Sequence, residues 1–409
     1  MTRTALVMVE GASNCSLFVR AAKHLGFQPI VLSANPARYK YLAAEEIEPL
    51  YADTHNLDAL IGKCYQLRGI YDISGITSSS ELFYAIAAKL CLHFGLPGPN
   101  PTSIERCRDK FNQRQLLTEA GISVPAYRQA ASAAAIQSSA AEIGLPVIVK
   151  PAVGIASSGV RLCRNSDELA EHADYLLGGT YIWPSSPSVL VEEFAQGPHY
   201  SIEMMGDQIV GIAAADFGHP PHFVCRKYSY PALLSDEQHK RIAEISLRSL
   251  QALGLSWGPK NIDLRWTKLG PVVIEVNPRL GGTPAPQLVQ LAYGVDLVTE
   301  HLKVVVGRQS DLSTRQSHTA AARVLLPERD GTLDWITGES RAAALPGVAE
   351  VKLYVKPGAP IVRKGDSQDR LGYVIVTSPS SIGTEAILDC AVDLIDWSIT
   401  PFPTPIGQQ

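Results

Sequence analysis

Short apolar runs alternate with helical spacings over the first hundred residues. Ala5 to Val9 is an unbroken apolar run, which predicts a strand buried on both faces. Ser16 to Leu25 follows as a helix, Pro29 to Ser33 as a second strand, Ile70 to Ile76 as a further strand and Ser80 to Phe94 as a helix. Strands alternating with helices predict a parallel sheet covered on both faces. Beyond the Gly95–Pro101 loop the pattern predicts one helix over Ser103 to Ala120, an extended piece over Gly121 to Pro125, and a strand over Leu145 to Lys150. Ala130 to Ala141 is low-complexity, rich in alanine and serine. Residues 151–160 then form a glycine-rich hairpin returning through Val160 to Cys163, because no strand-to-helix P-loop with G-K-[ST] is present.

Further along, Trp183 to Ser188 reads as an exposed loop and Val189 to Glu192 as a strand, and Ser201–Met205 with Gln208–Ala214 as a hairpin turning at Gly206-Asp207. Gly218 to Tyr230 reads as a long loop, of the kind that often carries function. Ser235 is positioned to cap a helix running to Leu253, and helices follow over Pro286–Tyr293 and Val295–Val306. The last ninety residues alternate strand and turn (Ala320–Leu326, Val348–Tyr354, Gly372–Thr377) before a helix over Gly383–Ile395, which predicts a small α+β piece packed on the middle of the protein.

The stretch Val272–Gly282, V-V-I-E-V-N-P-R-L-G-G, organises the chemistry. On an extended strand, Glu275, Asn277 and Arg279 project from one face. Two hard oxygen ligands suit magnesium, and magnesium beside an arginine suits a polyphosphate. An E-x-N-x-R face at a solvated strand end is the competing account. The G-A-S-N link at Gly11–Asn14 is an ordinary strand-to-helix turn and lacks the glycine fingerprint of a dinucleotide site.

Composition narrows the classes. With 409 residues the chain is long enough for two or three domains, and a net charge of −4 leaves no electrostatic footprint for nucleic acid. No apolar run approaches a membrane span, and the N-terminus has no signal-peptide pattern. Seven cysteines scattered singly argue for reduced thiols in a cytoplasmic protein and against zinc.

Four features stand in order: Lys110, Lys150 with its hairpin, Glu192-Glu193-Phe194-Ala195, and the Glu275/Asn277/Arg279 strand. Two lysines neutralise phosphate as point charges and a hairpin covers it. Asp263, in N-I-D-L-R-W on the preceding strand of a hairpin, adds an oxygen across from Glu275. With T-S-S-S-E-L-F at 77–83, R-D-K-F at 108–111, V-I-V-K-P, V-E-E-F at 191–194 and V-I-E-V-N-P-R-L-G-G, the sequence resembles the ATP-grasp superfamily, and over most of its length the L-amino-acid ligases, or dipeptide synthetases.

The resemblance implies an ATP-grasp fold, α/β and α+β. Its parts are an N-terminal parallel-sheet pre-ATP domain (1–100), a central lid domain (101–205) and a C-terminal metal-binding domain (206–409) with a terminal subregion from about 320. It also implies ATP and Mg2+ as cofactors, two ions, with Mn2+ as a substitute. Lys110 and Lys150 would contact phosphates beneath Ser157, Ser158 and Gly159. Glu192 and the Glu193–Ala195 backbone would hold adenine, with a carboxylate near the ribose. His199 would lie near the nucleotide or at the surface. Glu275, Asn277 and Asp263 would bind metal. Arg279 would hold an acyl phosphate, and Gly281 and Gly282 would lie beside the donor carboxylate.

The implied reaction joins a carboxylate to an amine through an acyl phosphate, acting on amino-acid or carboxylic-acid substrates in secondary metabolism, by a chain that forms a homodimer. In the dipeptide ligases the loop matching His222–Leu234 carries a glutamate and a histidine for the donor amine. Here Cys225, Arg226, Lys227 and Tyr228 stand there, a basic pair suited to a carboxylate or else facing solvent. Glu81 either lines the same pocket or caps its helix. Competing functions are activation of formate or bicarbonate on the same fold, and nucleotide binding without turnover.

Overall fold

Ala5 to Val9 are wholly shielded from solvent, as a continuous apolar strand requires. In the computed structural model, which describes residues 3–11, 14–181 and 187–403, the strand Arg3–Val9 lies between Gln28–Ser33 and Tyr71–Thr77, with Leu50–Tyr51 outermost, and all pairings are parallel. Ala12 and Ser13 of the first turn, and most of the Trp183–Ser188 stretch, lie outside the described residues.

The single helix expected over Ser103–Ala120 is two helices, Pro101–Arg108 and Lys110–Glu119. Asp109 divides them. Its backbone is extended, and its carboxylate accepts from the N–H groups of Phe111 at 2.8 Å and Asn112 at 3.1 Å. An N-cap of this kind satisfies donors that a continuing helix would have bonded internally, so it restarts the helix with Lys110 as its first residue.

Next comes a four-stranded antiparallel sheet in the order Tyr127–Ala130, Val189–Glu193, Val147–Pro151, Arg161–Cys163. The last two strands flank the glycine-rich segment, so the expected hairpin is present. Helices Ala133–Ile143 and Ser166–Leu177 share this sheet's apolar core, through Ile136, Leu169 and Leu176. The first of them occupies the alanine- and serine-rich tract, with Ser132 accepting from Ala135 N–H at 3.2 Å as its cap.

The remaining strands build one eight-stranded antiparallel sheet. Its order is Gly270–Asn277, Pro259–Thr267, His199–Met205, Gln208–Asp216, Lys227–Tyr230, Thr319–Leu325, Gly372–Ser378, Val348–Leu353. Two expectations change here. The end of the supposed Gly218–Tyr230 loop is a strand paired on both sides. The C-terminal strands continue the central sheet, because Thr319–Leu325 hydrogen-bonds along the free side of Lys227–Tyr230. A separate three-stranded sheet, Pro360–Ile361, Gly331–Thr337 and Asp396–Thr400, lies at the end of the chain. Among the described residues no helix is long and apolar enough to cross a membrane.

Candidate active site

The restarted helix buries Lys110, Gln113, Arg114 and Leu117, the i, i+3, i+4, i+7 set of a single face. Lys110 Nζ donates to Gly154 O at 2.8 Å and meets Glu275 Oε1 at 2.7 Å. The Gln113 carboxamide pairs with the Val276 backbone, donating to its carbonyl at 3.0 Å and accepting from its N–H at 2.8 Å. Arg114 donates to Ile274 O and reaches Glu192 Oε1 at 2.7 Å. One helix face therefore sets the depth of both the Glu275 strand and the Glu192 strand.

Lys150 ends its strand with Nζ 2.5 Å from the other oxygen of Glu192. Burial alone would raise the Glu192 pKa, but the Arg114 and Lys150 cations outweigh it and hold the carboxyl below its usual range. Glu275 shows the same balance, with burial opposed by Lys110. Ala156 and Ser157, at the tip of the glycine-rich hairpin, have φ of 61° and 62°, a left-handed conformation that costs energy for residues with a Cβ. The tip is held by the C-terminal region, where Ser367 N–H donates to Ala156 O at 3.1 Å.

Antiparallel register places Asp263 opposite Glu275 and Asn261 opposite Asn277. Asn277 Nδ2 lies 3.4 Å from Asn261 Oδ1, and Asn261 Nδ2 reaches Ser201 Oγ at 2.8 Å and Glu203 Oε1 at 2.9 Å. Glu203 also accepts from Gly281 N–H at 3.1 Å. His199 Nε2 is 3.2 Å from Asp263 Oδ1, with its ring 4.4 Å from that of Phe217. Two carboxylates and a carboxamide on one face form a hard-oxygen set that fits magnesium. Among the described residues no group of three His, Cys, Asp or Glu side chains is placed to hold a metal, and the carboxamide of Asn277 stands beside the two carboxylates.

Two cavities meet at these carboxylates. One, of about 140 Å³, lies between the four-stranded sheet and the large sheet, and is lined by both lysines, Glu192–Ala195, His199 and Arg265. The other, of about 430 Å³, runs on past Asn277 and Arg279 to Glu81, Tyr228 and Arg370. Ile155–Ser157, Asp263 and Glu275 line both. A cleft thus opens past a pair of carboxylates into a larger chamber.

Comparison with known proteins matches residues 143–287 to the ATP-grasp domain family and residues 323–400 to L-amino acid ligase C-terminal domain 2. The chain belongs to the ATP-grasp superfamily. It is 57% identical over 401 residues to y4rH of Sinorhizobium fredii (strain NBRC 101917 / NGR234), a protein described as uncharacterized, spanning 98% of this chain and 84% of y4rH. Human carnosine synthase 1 is 25% identical over 334 residues, which are 76% of this chain but only 40% of the synthase. The crystal structure of an L-amino acid ligase from Bacillus licheniformis superposes with a TM-score of 0.83 at 21% identity, covering 98% of this chain and all of that one, and so shares the fold.

Within this ATP-grasp framework most of the expected residues converge. Lys110, Lys150, Ser157, Ser158, Glu193, Phe194, Ala195 and His199 line the smaller cavity. Glu81, Tyr228, Asn277, Arg279 and Gly282 line the larger one. Glu81 does not cap its helix, since Ser80 is the N-cap residue; it pairs with Arg279 Nη2 at 2.8 Å. Glu192 lines the smaller cavity with both its oxygens paired, one to Arg114 and one to Lys150.

Gly159 and Gly281 act by fit. A Cβ on Gly159 would come 2.9 Å from Pro151, and one on Gly281 would come 2.0 Å from Glu203 Oε1. The basic pair is corrected. Arg226 is exposed and lies outside the chamber. Lys227 projects from the opposite strand face to Tyr228 and is ion-paired with Glu385. Sequence reasoning missed Arg114, Asn261 and Arg370. Arg114 was within reach, four residues after Lys110 on one helix; Asn261, two before Asp263 on one strand, was as well. Arg370 carries no such signal.

Proposed function

We propose that this protein is an ATP-dependent carboxylate–amine ligase that forms an amide bond on amino acids or their derivatives through an acyl phosphate, releasing ADP and phosphate. The observation that carries the reading is the junction of the two cavities at Asp263 and Glu275, with Lys110 and Lys150 on the nucleotide side and Arg279 on the other. Phe194 and Arg265, 5.5 Å apart as a cation–π pair, line the cleft where an adenine would stack. Lys110 and Lys150 face the polyphosphate under the Ser157–Ser158 tip, and phosphate would draw Lys110 away from Glu275.

Glu275, Asn277 and Asp263 hold magnesium in this reading, and the metal supplies charge neutralisation on the phosphates. The substrate carboxylate attacks the γ-phosphorus and ADP leaves. The amine then adds to the acyl carbon, loses a proton, and phosphate departs with one of the original carboxylate oxygens. Arg279, fixed by Glu81, stabilises the charge that develops on the transferred group. No protein nucleophile is needed. A chamber of about 430 Å³ is larger than formate or bicarbonate requires, which favours amino-acid-sized substrates.

The test is phosphate release from ATP and magnesium over a matrix of carboxylic acids and amines, supplied singly and in pairs, with mass spectrometry of positives. Release with one pair, giving a product one water lighter than its parts, is the expected result. Release with bicarbonate or formate alone overturns it.

A further inference from the structure

Five ionised side chains line the larger chamber among the described residues: Glu81, Asp263, Glu275, Arg279 and Arg370. The three carboxylates all face a basic group. Glu81 holds Arg279 at 2.8 Å, Asp263 faces His199 at 3.2 Å, and Glu275 holds Lys110 at 2.7 Å. Arg370 alone has no carboxylate partner. Its Nη1 reaches the Thr283 carbonyl at 3.5 Å and its guanidinium lies 5.3 Å over the Tyr354 ring, contacts that orient the fork and leave its charge unneutralised.

The half-buried Arg370 sits on the chamber wall beside Gly282 and Thr283, with the Ser367 turn behind it. An unpaired guanidinium at the edge of a partly enclosed chamber favours a carboxylate, which it binds with two parallel hydrogen bonds. Glu81 and Glu275 are held by cations and Asp263 belongs to the proposed metal set, so a substrate ammonium would find no free carboxylate there, and its charge would add to that of Arg370.

We propose that Arg370 is a specificity residue that binds a second carboxylate of the acid substrate, so that the acid is dianionic and carries no free ammonium group in this chamber. This rests on the acid-activating reading above. Arg279 is engaged by Glu81 near the metal ligands and serves the transferred phosphate. Arg370 lies on a different segment, past Thr283, and reads the far end of the molecule.

The test measures binding to the full chain with magnesium and a non-hydrolysable ATP analogue, by calorimetry. Three probe series of matched length are compared: succinate, glutarate and adipate; butyrate, valerate and caproate; and the ω-amino acids of four to six carbons. At least one dicarboxylate is expected to bind about tenfold or more tightly than its monocarboxylate and amino counterparts. Arg370→Gln should abolish that preference, Arg370→Lys should keep part of it, and the Kd of the ATP analogue should stay the same in both.

Equal binding of the three series, no binding by any dicarboxylate, or a preference that survives Arg370→Gln would overturn the proposal. So would a matching loss of ATP-analogue affinity, which would make Arg370 a phosphate residue. Dicarboxylate preference without phosphate release for any amine would remove the ligase reading and leave this one standing. Turnover of monocarboxylic acids without the preference would do the reverse.

Discussion

Arg114 Nε donates to Glu192 Oε1 at 2.7 Å, and both side chains are shut off from solvent. With Lys150 on the other oxygen, a single carboxylate aligns two cations from two elements. Removing one partner of a buried pair leaves a charge uncompensated and costs about 3–5 kcal/mol. Arg114→Met should therefore lower the unfolding free energy read from urea titration by an amount in that range, although Arg114 lines neither cavity. A value within error of the wild type would mean that Lys150 alone satisfies Glu192.

Glu275 pairs with Lys110 and, in the proposed reading, also belongs to the metal set. In Glu275→Gln the magnesium concentration for half-maximal phosphate release should rise by about tenfold or more, with Asp263→Asn showing a smaller rise. Titration of activity with magnesium reads both. Identical curves for Glu275→Gln and wild type would place the metal elsewhere.

Lys227 lies against Glu385 on the far side of its strand, and Arg226 faces solvent. Arg226→Gln and Lys227→Gln should leave the KM of every substrate within about twofold, and loss of the partly exposed Lys227 pair should change stability by no more than about 1 kcal/mol. Arg279→Lys, by contrast, forfeits the planar fork that meets Glu81 and should depress kcat strongly. A substrate-selective KM increase in Arg226→Gln would return that loop to the binding site.

His301 lies under the chamber among Phe18, Tyr84 and Trp257, with Nε2 3.2 Å from Thr77 Oγ1 and no protein partner for Nδ1. Burial pushes its pKa down to about 3. The unfolded chain takes up the proton near pH 6.5 while the folded one refuses it, so this contribution is complete above pH 6.5 and fades as pH falls toward 3. Between pH 6.5 and 5 the loss is about 2 kcal/mol from this residue. Stability of His301→Gln, measured over that interval, should fall less steeply than the wild type; parallel curves would show that His301 titrates normally.

What could be read from residues alone was whatever rests on strict periodicity. Glu275, Asn277 and Arg279 alternate along a strand, Lys110 follows Asp109 and Lys150 directly precedes the glycine-rich segment, so their convergence was visible. The exposed Arg226 fits the solvent-facing alternative, and Lys227 turns away from the chamber because the loop assignment hid a strand, on which it and Tyr228 face opposite ways. Arg114 depended on where the helix restarts, which Asp109 decides by capping. Arg370 enters the chamber from a segment about ninety residues beyond Arg279, and no local pattern records a contact made only by the closed sheet.

The bond from Ser367 N–H to Ala156 O joins the cover of the nucleotide to a turn whose neighbours, Gln368 and Arg370, form the wall of the acid chamber. Lifting the hairpin either breaks that bond or drags the turn with it. In the proposed reading, one backbone bond therefore ties the cover of the phosphates to the wall of the acid chamber, and the two sides of the reaction share a single contact.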